Sequence, residues 1–420
     1  MIVNVSLMAS AEYLKILREG ASAWNEWRAN LNQKSGCFKA DLSGADLRAV
    51  DFRGINLSDA NLSDANLMKA DLRDANLRGA NLTRGDLSFA DLRSADLTVA
   101  KLEQANLSSA CVTKAKFAHA DMTEANLTKA DLSGAELRRA KLNKAQLSEA
   151  ILGETDFREA DLNGANLSGA NLRGANLSHG QLCFADLRLA DFTGANLEMA
   201  NLGQANLSSA CVAEAKLAHA DMTKANLTKA DLSESDLREA DLSGANLSGT
   251  YLNGADFSGA ELSWANFEAA IVFRDCDRPD QYELKTRWAH GLCTVNFSGA
   301  NLHHTCFRDA DLSGADLTNA RMEDTILANA DLREAKLTGV NLCGADLKGA
   351  DLRKADPSGS NLCKAELAGA IVSGAILAKV DVRETDIWEL DLQGADLSGA
   401  NLGNVELWEE GGGNFCSVKG

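Results

Sequence analysis

A chain of 420 residues with only 5% aromatic residues and two prolines has no ordinary globular core, so its interior must be filled by small side chains repeated many times. A formal net charge of −18 and a pI near 4.8 argue against direct nucleic-acid binding or attraction to anionic membranes, and no apolar run approaches membrane-spanning length. The ten cysteines, scattered without close pairs, read as free thiols in a reducing compartment and not as a disulfide framework.

The amino-terminal segment, residues 1–39, opens with MIVNVSLMASAEYLKILREG and lacks the basic start, apolar run and small-residue cleavage site of a secretory leader, which points to the cytoplasm. Over residues 11–31, Leu14, Leu17, Ala21, Trp24, Trp27 and Leu31 recur at three- and four-residue spacing. That pattern predicts one amphipathic helix with Ser10 as its N-cap, placed to cover the exposed end of the core that begins near residue 40.

From Ala40 onward the chain is a repeat. It runs ADLSG, ADLRA, VDFRG, INLSD, ANLSD, with Leu or Phe in the third place, Ala two before it and Asp or Asn between. This first block spans residues 40–274 and a second spans 295–409, together roughly seventy units. A period of five fits neither a helix nor a flat strand, so each unit predicts one short side of a coil, Leu and Ala inward, with Asp/Asn, Ser/Thr and Gly at the corners. The units, such as Ala65-Asn66-Leu67-Met68-Lys69 and Ala345-Asp346-Leu347-Lys348-Gly349, resemble the pentapeptide-repeat family. The resemblance implies an all-β solenoid: a right-handed quadrilateral parallel β-helix, four units per coil, here with an α-helical cap. About eighteen coils at the strand spacing would make a rod of roughly 80 Å. LKILREGASAWNEWR is also similar to the amino-terminal segment of bacterial members, so the start is either Met1 or Met8.

A duplication supports four sides independently. ANLSSACVTKAKFAHADMTEANLTKADL from Ala105 recurs almost unchanged from Ala205, and a 100-residue displacement is a whole number of 20-residue coils but not of 15-residue ones.

Residues 275–294, DCDRPDQYELKTRWAHGLCT, break the period and should leave the stack as a loop, either a binding element presenting Tyr282 and Trp288 or an insertion accommodated at a corner. Near the end, Trp388 and Trp408 stand 20 residues apart at one outward position; they form either a contact patch or a shield over an uncovered core. Residues 410–420 are a Gly-rich tail, and the absence of a helical pattern there leaves the last coils to be covered by a partner, a second copy or nothing.

Counting by 20 also sorts side chains onto faces. Asp51, Asp71 and Asp91 alternate with Arg53, Arg73 and Arg93, which predicts mutual screening. Cys276, Cys293, His303, His304 and Cys306 gather around the loop and are candidate zinc ligands, although their spacing matches no zinc motif. His119 and His219 are equivalents in the duplication. Cys343 and Cys363 should stack as free thiols, and Pro357, in place of an inward Leu, predicts a local defect. No nucleophile stands with a base and an orienting group, and no glycine-rich phosphate loop opens a helix, so neither an enzyme nor a cofactor is expected.

The expected function is a non-enzymatic scaffold that presents an acidic surface to a protein partner, with self-association at the carboxyl-terminal end also open. The family resemblance offers an alternative, a DNA mimic that occupies a type II topoisomerase such as gyrase. One continuously acidic face favours the mimic, and interleaved charge with a local aromatic patch favours the scaffold.

Overall fold

The computed structural model describes residues 9–35, 39–271, 294–385, 387 and 390–402. The chain forms two compact units, Met1–Asn206 and Leu207–Gly420. Two helices open the first unit, α1 (Ala9–Arg18) and α2 (Ala21–Ser35); all other described residues belong to short sides and corners.

In both units sides pair in parallel with the side 20 residues on, from Asp41↔Asn61 to Asp186↔Asn206 in the first and, apart from one splice and one missing bridge, from Cys211↔Asp231 to Asp381↔Asn401 in the second. A coil therefore takes four five-residue sides. The reason that this sequence adopts it is a complete account of backbone donors, visible in the unit 65–69. Asn66 N donates to Ala45 O of the preceding coil at 2.9 Å, and Leu67 N and Lys69 N donate to Asp86 O and Ser88 O of the next at 2.7 and 2.9 Å. Ala65 N closes the corner onto Leu62 O at 3.1 Å. That leaves Met68 N, which donates to the side-chain Oδ1 of Asn66 at 3.0 Å. Where Asp or Asn precedes the inward Leu, as in most units, its side chain is thus the acceptor for the one donor that the coil-to-coil ladder does not use.

The fifth residue of each unit has positive φ. Glycine is unstrained there, but many other residues are held in the same conformation by the ladder, including the β-branched Val99 at φ 54°. Inward Leu and Ala are essentially inaccessible through most of the stack, for example Leu67 and Ala65 at 0%. Where Thr replaces the inward Ala, its hydroxyl donates to a carbonyl: Thr155 Oγ1 to Leu132 O at 3.0 Å and Thr250 Oγ1 to Leu247 O at 2.7 Å.

The amino-terminal segment departs from the single helix predicted over 11–31. Gly20, at φ 103°, stops α1, with Gly20 N donating to Leu17 O and Trp24 N to Gly20 O across the break. A left-handed glycine just past a helix is a strong terminator, and it outweighs the continuous apolar spacing. Ser10 lies inside α1 and does not precede it. Tyr13, Leu17, Trp24 and Arg28 are buried, whereas Leu14, Ala21, Trp27 and Leu31 are half-buried. Side chains of α2 meet the first coil's backbone. Trp24 Nε1 donates to Asn56 O at 2.7 Å, Asn25 Nδ2 to Gly54 O at 2.9 Å, and Arg28 to Ser58 O; Asn56 N donates to Asn25 Oδ1 at 2.7 Å.

In the second unit the pairing offset doubles from 20 to 40 residues once, at Asp256↔Asn296, Glu261↔Asn301 and Asn266↔Cys306, and then returns to 20. The chain leaves after Ile271 and re-enters at the next side in unbroken phase. Phenylalanines fill the core at this splice, Phe257 stacked on Phe297 and Phe267 on Phe307 with centroids 5.0 and 4.8 Å apart. Pro357 is buried and has no N–H for the ladder; the bridge between positions 356 and 376 is missing, and a cavity of about 30 Å³ lies beside it. Beyond it Leu392, Leu397 and Leu402 are half-exposed.

Candidate interaction surface

Because the ladder consumes the backbone and the core consumes the Leu and Ala, chemistry is left to three outward places per unit: the Asp/Asn and the two corner residues after Leu. In the first unit one side carries an interlocked charge ladder. Arg53 pairs with Asp51 of its own side at 2.7 Å and reaches Asp71 of the next coil at 3.6 Å; Arg73 repeats this with Asp71 at 2.6 Å and Asp91 at 3.5 Å. Hydrogen bonding from Arg53 holds Asp51 at about 2, and Arg48 does the same to Asp46. A similar ladder in the second unit joins Asp331, Arg333, Asp351 and Arg353, with Arg333 3.7 Å from Asp351. These exposed pairs fix the signs on a face more than they stabilise it.

Sign alternation extends beyond the ladders. Another side of the first unit sets Arg48, Lys69, Lys129 and Arg188 among Asp46, Asp86, Glu149 and Asp186. In the second unit the side with Glu214, Asp231, Glu234, Asp311, Asp331 and Asp351 is the more acidic, yet Arg333, Arg353 and Lys354 interrupt it.

Large apolar side chains occupy several exposed corners. Phe89, Val99, Phe184, Leu189 and Met199 stand out in the first unit and Trp264, 66% exposed, in the second. All have positive φ, so each side chain projects from a rigid corner. Sequence reasoning missed them, because their register in the five-residue period is the single signal they carry.

Of the residues singled out from the sequence, Trp388, Trp408, Tyr282, Trp288, Cys276 and Cys293 lie outside the described residues. His303 and His304 lie side by side with ring centroids 3.9 Å apart, and one donor atom from each falls within 4.8 Å of Asp324, a residue not anticipated. Counting by 20 would have found it, since 304 and 324 share a corner. Cys306 sits in the next side, laddered between Asn266 and Ile326. Cys343 and Cys363 are both free; burial and the neighbouring Cys363 push the Cys343 thiol up. His219 faces Glu239 at 3.4 Å. Among the described residues no helix is long and apolar enough to cross a membrane.

The family described as pentapeptide repeats matches overlapping stretches that run from residue 37 to 271 and from 292 to 407. Among solved structures, HetL from the cyanobacterium Nostoc, a pentapeptide-repeat protein involved in heterocyst differentiation regulation, is 32% identical over 58% of this chain and 94% of its own, with a TM-score of 0.29. Rfr23 from the cyanobacterium Cyanothece is 27% identical over 39% of this chain and 91% of its own, TM-score 0.19. QnrB1, a plasmid-mediated fluoroquinolone resistance protein, is 22% identical over 46% of this chain and 90% of its own, TM-score 0.26. No curated protein matches.

Proposed function

Because this chain belongs to the pentapeptide-repeat family, whose fold is a right-handed quadrilateral β-helix, we propose that it is a non-enzymatic cytoplasmic scaffold recognised by a protein partner. The observation that carries this reading is the division of labour within each unit. Inward groups and backbone are committed to the stack, so recognition falls to outward side chains held at fixed intervals. Exposed corner residues such as Phe184, Leu189 and Trp264 supply the apolar anchors and the alternating ladders supply the polar rim of a protein contact.

In the same reading α2 is the amino-terminal cap. An ordinary Asn at the position of Asn56 donates its N–H to the coil before it; here Asn25 Oδ1 takes that bond, and Trp24 Nε1 stands in for the missing donor to Asn56 O.

The interleaving of Arg and Lys on the acidic sides speaks against the DNA-like field that a topoisomerase mimic needs. The test is affinity capture from source-cell lysate with the intact chain, compared with Phe184→Ser/Leu189→Ser, Trp264→Ser, Trp388→Ala/Trp408→Ala and a deletion of residues 275–294. A protein enriched by the intact chain and lost with one variant locates the scaffold site. Enrichment of a type II topoisomerase, with inhibition of its supercoiling by the pure chain, would overturn the scaffold in favour of mimicry, and no specific partner from any form would refute both.

A further inference from the structure

We propose that His303, His304 and Asp324 form a site for one divalent transition-metal ion of the zinc class, with Glu323 orienting His303 behind it. The residues are brought together by the coil itself. His304 N donates to Glu323 O at 3.0 Å and the side preceding this corner is bridged by Asn301↔Arg321, so positions 303 and 304 lie over 323 and 324. His304 and Asp324 share a φ of 55°, which sends both side chains out from the same corner.

One donor atom from each of the three lies within 4.8 Å of the others. Zinc–ligand bonds near 2.0–2.1 Å put tetrahedral ligands about 3.3 Å apart, so closure needs only small side-chain movements. Two imidazoles and a carboxylate suit zinc, copper, nickel or cobalt and not the oxygen-seeking calcium or magnesium. Three protein ligands leave the fourth position to water.

A second observation is independent of this convergence. His303 Nδ1 and Glu323 Oε2 are both buried atoms without a hydrogen-bond partner, and they face each other at 3.9 Å. Glu323 is anchored through its other oxygen, Oε1, which accepts from Asn341 Nδ2 at 2.7 Å. Leaving a buried donor opposite a buried acceptor is unfavourable unless another interaction draws them together. A bound ion does so: with Nδ1–H turned to Glu323, Nε2 of His303 is left for the metal, the carboxylate-behind-histidine arrangement common in metal sites. The ring of Trp264 stacks on His304 at 4.1 Å and 30°, which limits the plane that His304 can take. Gly344, at the next corner, leaves room for the Asp324 carboxylate, whose Oδ1 a methyl group there would strike.

The experiment uses the full chain stripped of metal. Zn²⁺ is titrated calorimetrically, metal content is measured after dialysis, and Cu²⁺ quenching of tryptophan emission is followed separately. The expected result is one Zn²⁺ per chain, weakened at least tenfold by His304→Ala and by Asp324→Asn and about tenfold by Glu323→Gln. Trp264→Phe should abolish most of the quenching without changing zinc stoichiometry, and Cys343→Ser/Cys363→Ser should leave affinity unchanged. If His304→Ala loses its circular dichroism spectrum, the exposed isostere Asp324→Asn and the quenching carry the test. Absence of saturable binding, affinity indifferent to these substitutions, or loss of binding with the two cysteines would overturn the proposal.

Discussion

Replacing Pro357 with Leu should stabilise the end of the second unit. The structure gives the size of the effect. Leu brings one more side-chain carbon toward a cavity of about 30 Å³, which at ~24 cal/mol per Å³ amounts to at most ~0.7 kcal/mol. It also restores an N–H opposite Ile376 O, the acceptor that the repeating pattern assigns to position 357, for about 1 kcal/mol. Against these stands the loss of proline's restriction on the unfolded chain, roughly 0.4–1 kcal/mol. The net gain is about 1 kcal/mol, or roughly a fivefold slower local opening. In a stack whose stability is a sum of local and neighbouring terms, a global melting temperature blurs such a change, so the assay is amide hydrogen exchange read by mass spectrometry over peptides within 337–377. Peptides from residues 105–132 serve as the internal reference. Unchanged or faster exchange around position 357 in the Leu variant would show that the missing donor and the cavity do not limit stability there.

The same bonding scheme predicts three further outcomes. Val99→Gly relieves a β-branched residue held at φ 54° and should stabilise the first unit by about 1 kcal/mol, read as slower exchange in the flanking coils. Asn25→Ala leaves Asn56 N without its acceptor and should raise exchange at the first coil by an amount equivalent to about 1–2 kcal/mol, while the second unit stays unchanged. On acidification, the Arg-bonded Asp46 and Asp51, held at about 2 against ~3.9 in an unfolded chain, contribute stability that is present above pH 4 and lost as pH falls through 2. The denaturant midpoint of the first unit, followed by circular dichroism, should therefore fall only slightly between pH 4 and pH 2, and added salt should shrink that small change because these pairs are exposed.

The five-residue period determined most of the fold, for a reason contained within a few residues. Asp or Asn before Leu, and a corner residue that tolerates positive φ, settle where each backbone donor goes, and the inward Leu and Ala settle which side is core. Face assignment by 20 was equally legible: it placed Asp51, Arg53, Asp71 and Arg73 in one ladder and marked Pro357 as a defect. What the sequence did not settle lies where the pattern is interrupted. The apolar stripe ran through Gly20 without showing that the helix stops there, and nothing local revealed that Asn25 Oδ1 and Trp24 Nε1 bond to the backbone of Asn56. The unit containing residues 275–294 could have lost its phase at the insertion; only tertiary pairing shows Asp256 meeting Asn296 in register. Likewise the meeting of His304 with Asp324 and Trp264 depends on rotamers chosen across coils. A repeat specifies its own interior through local bonding, whereas its ends, its splice and its surface clusters are decided by contacts between residues far apart in the chain.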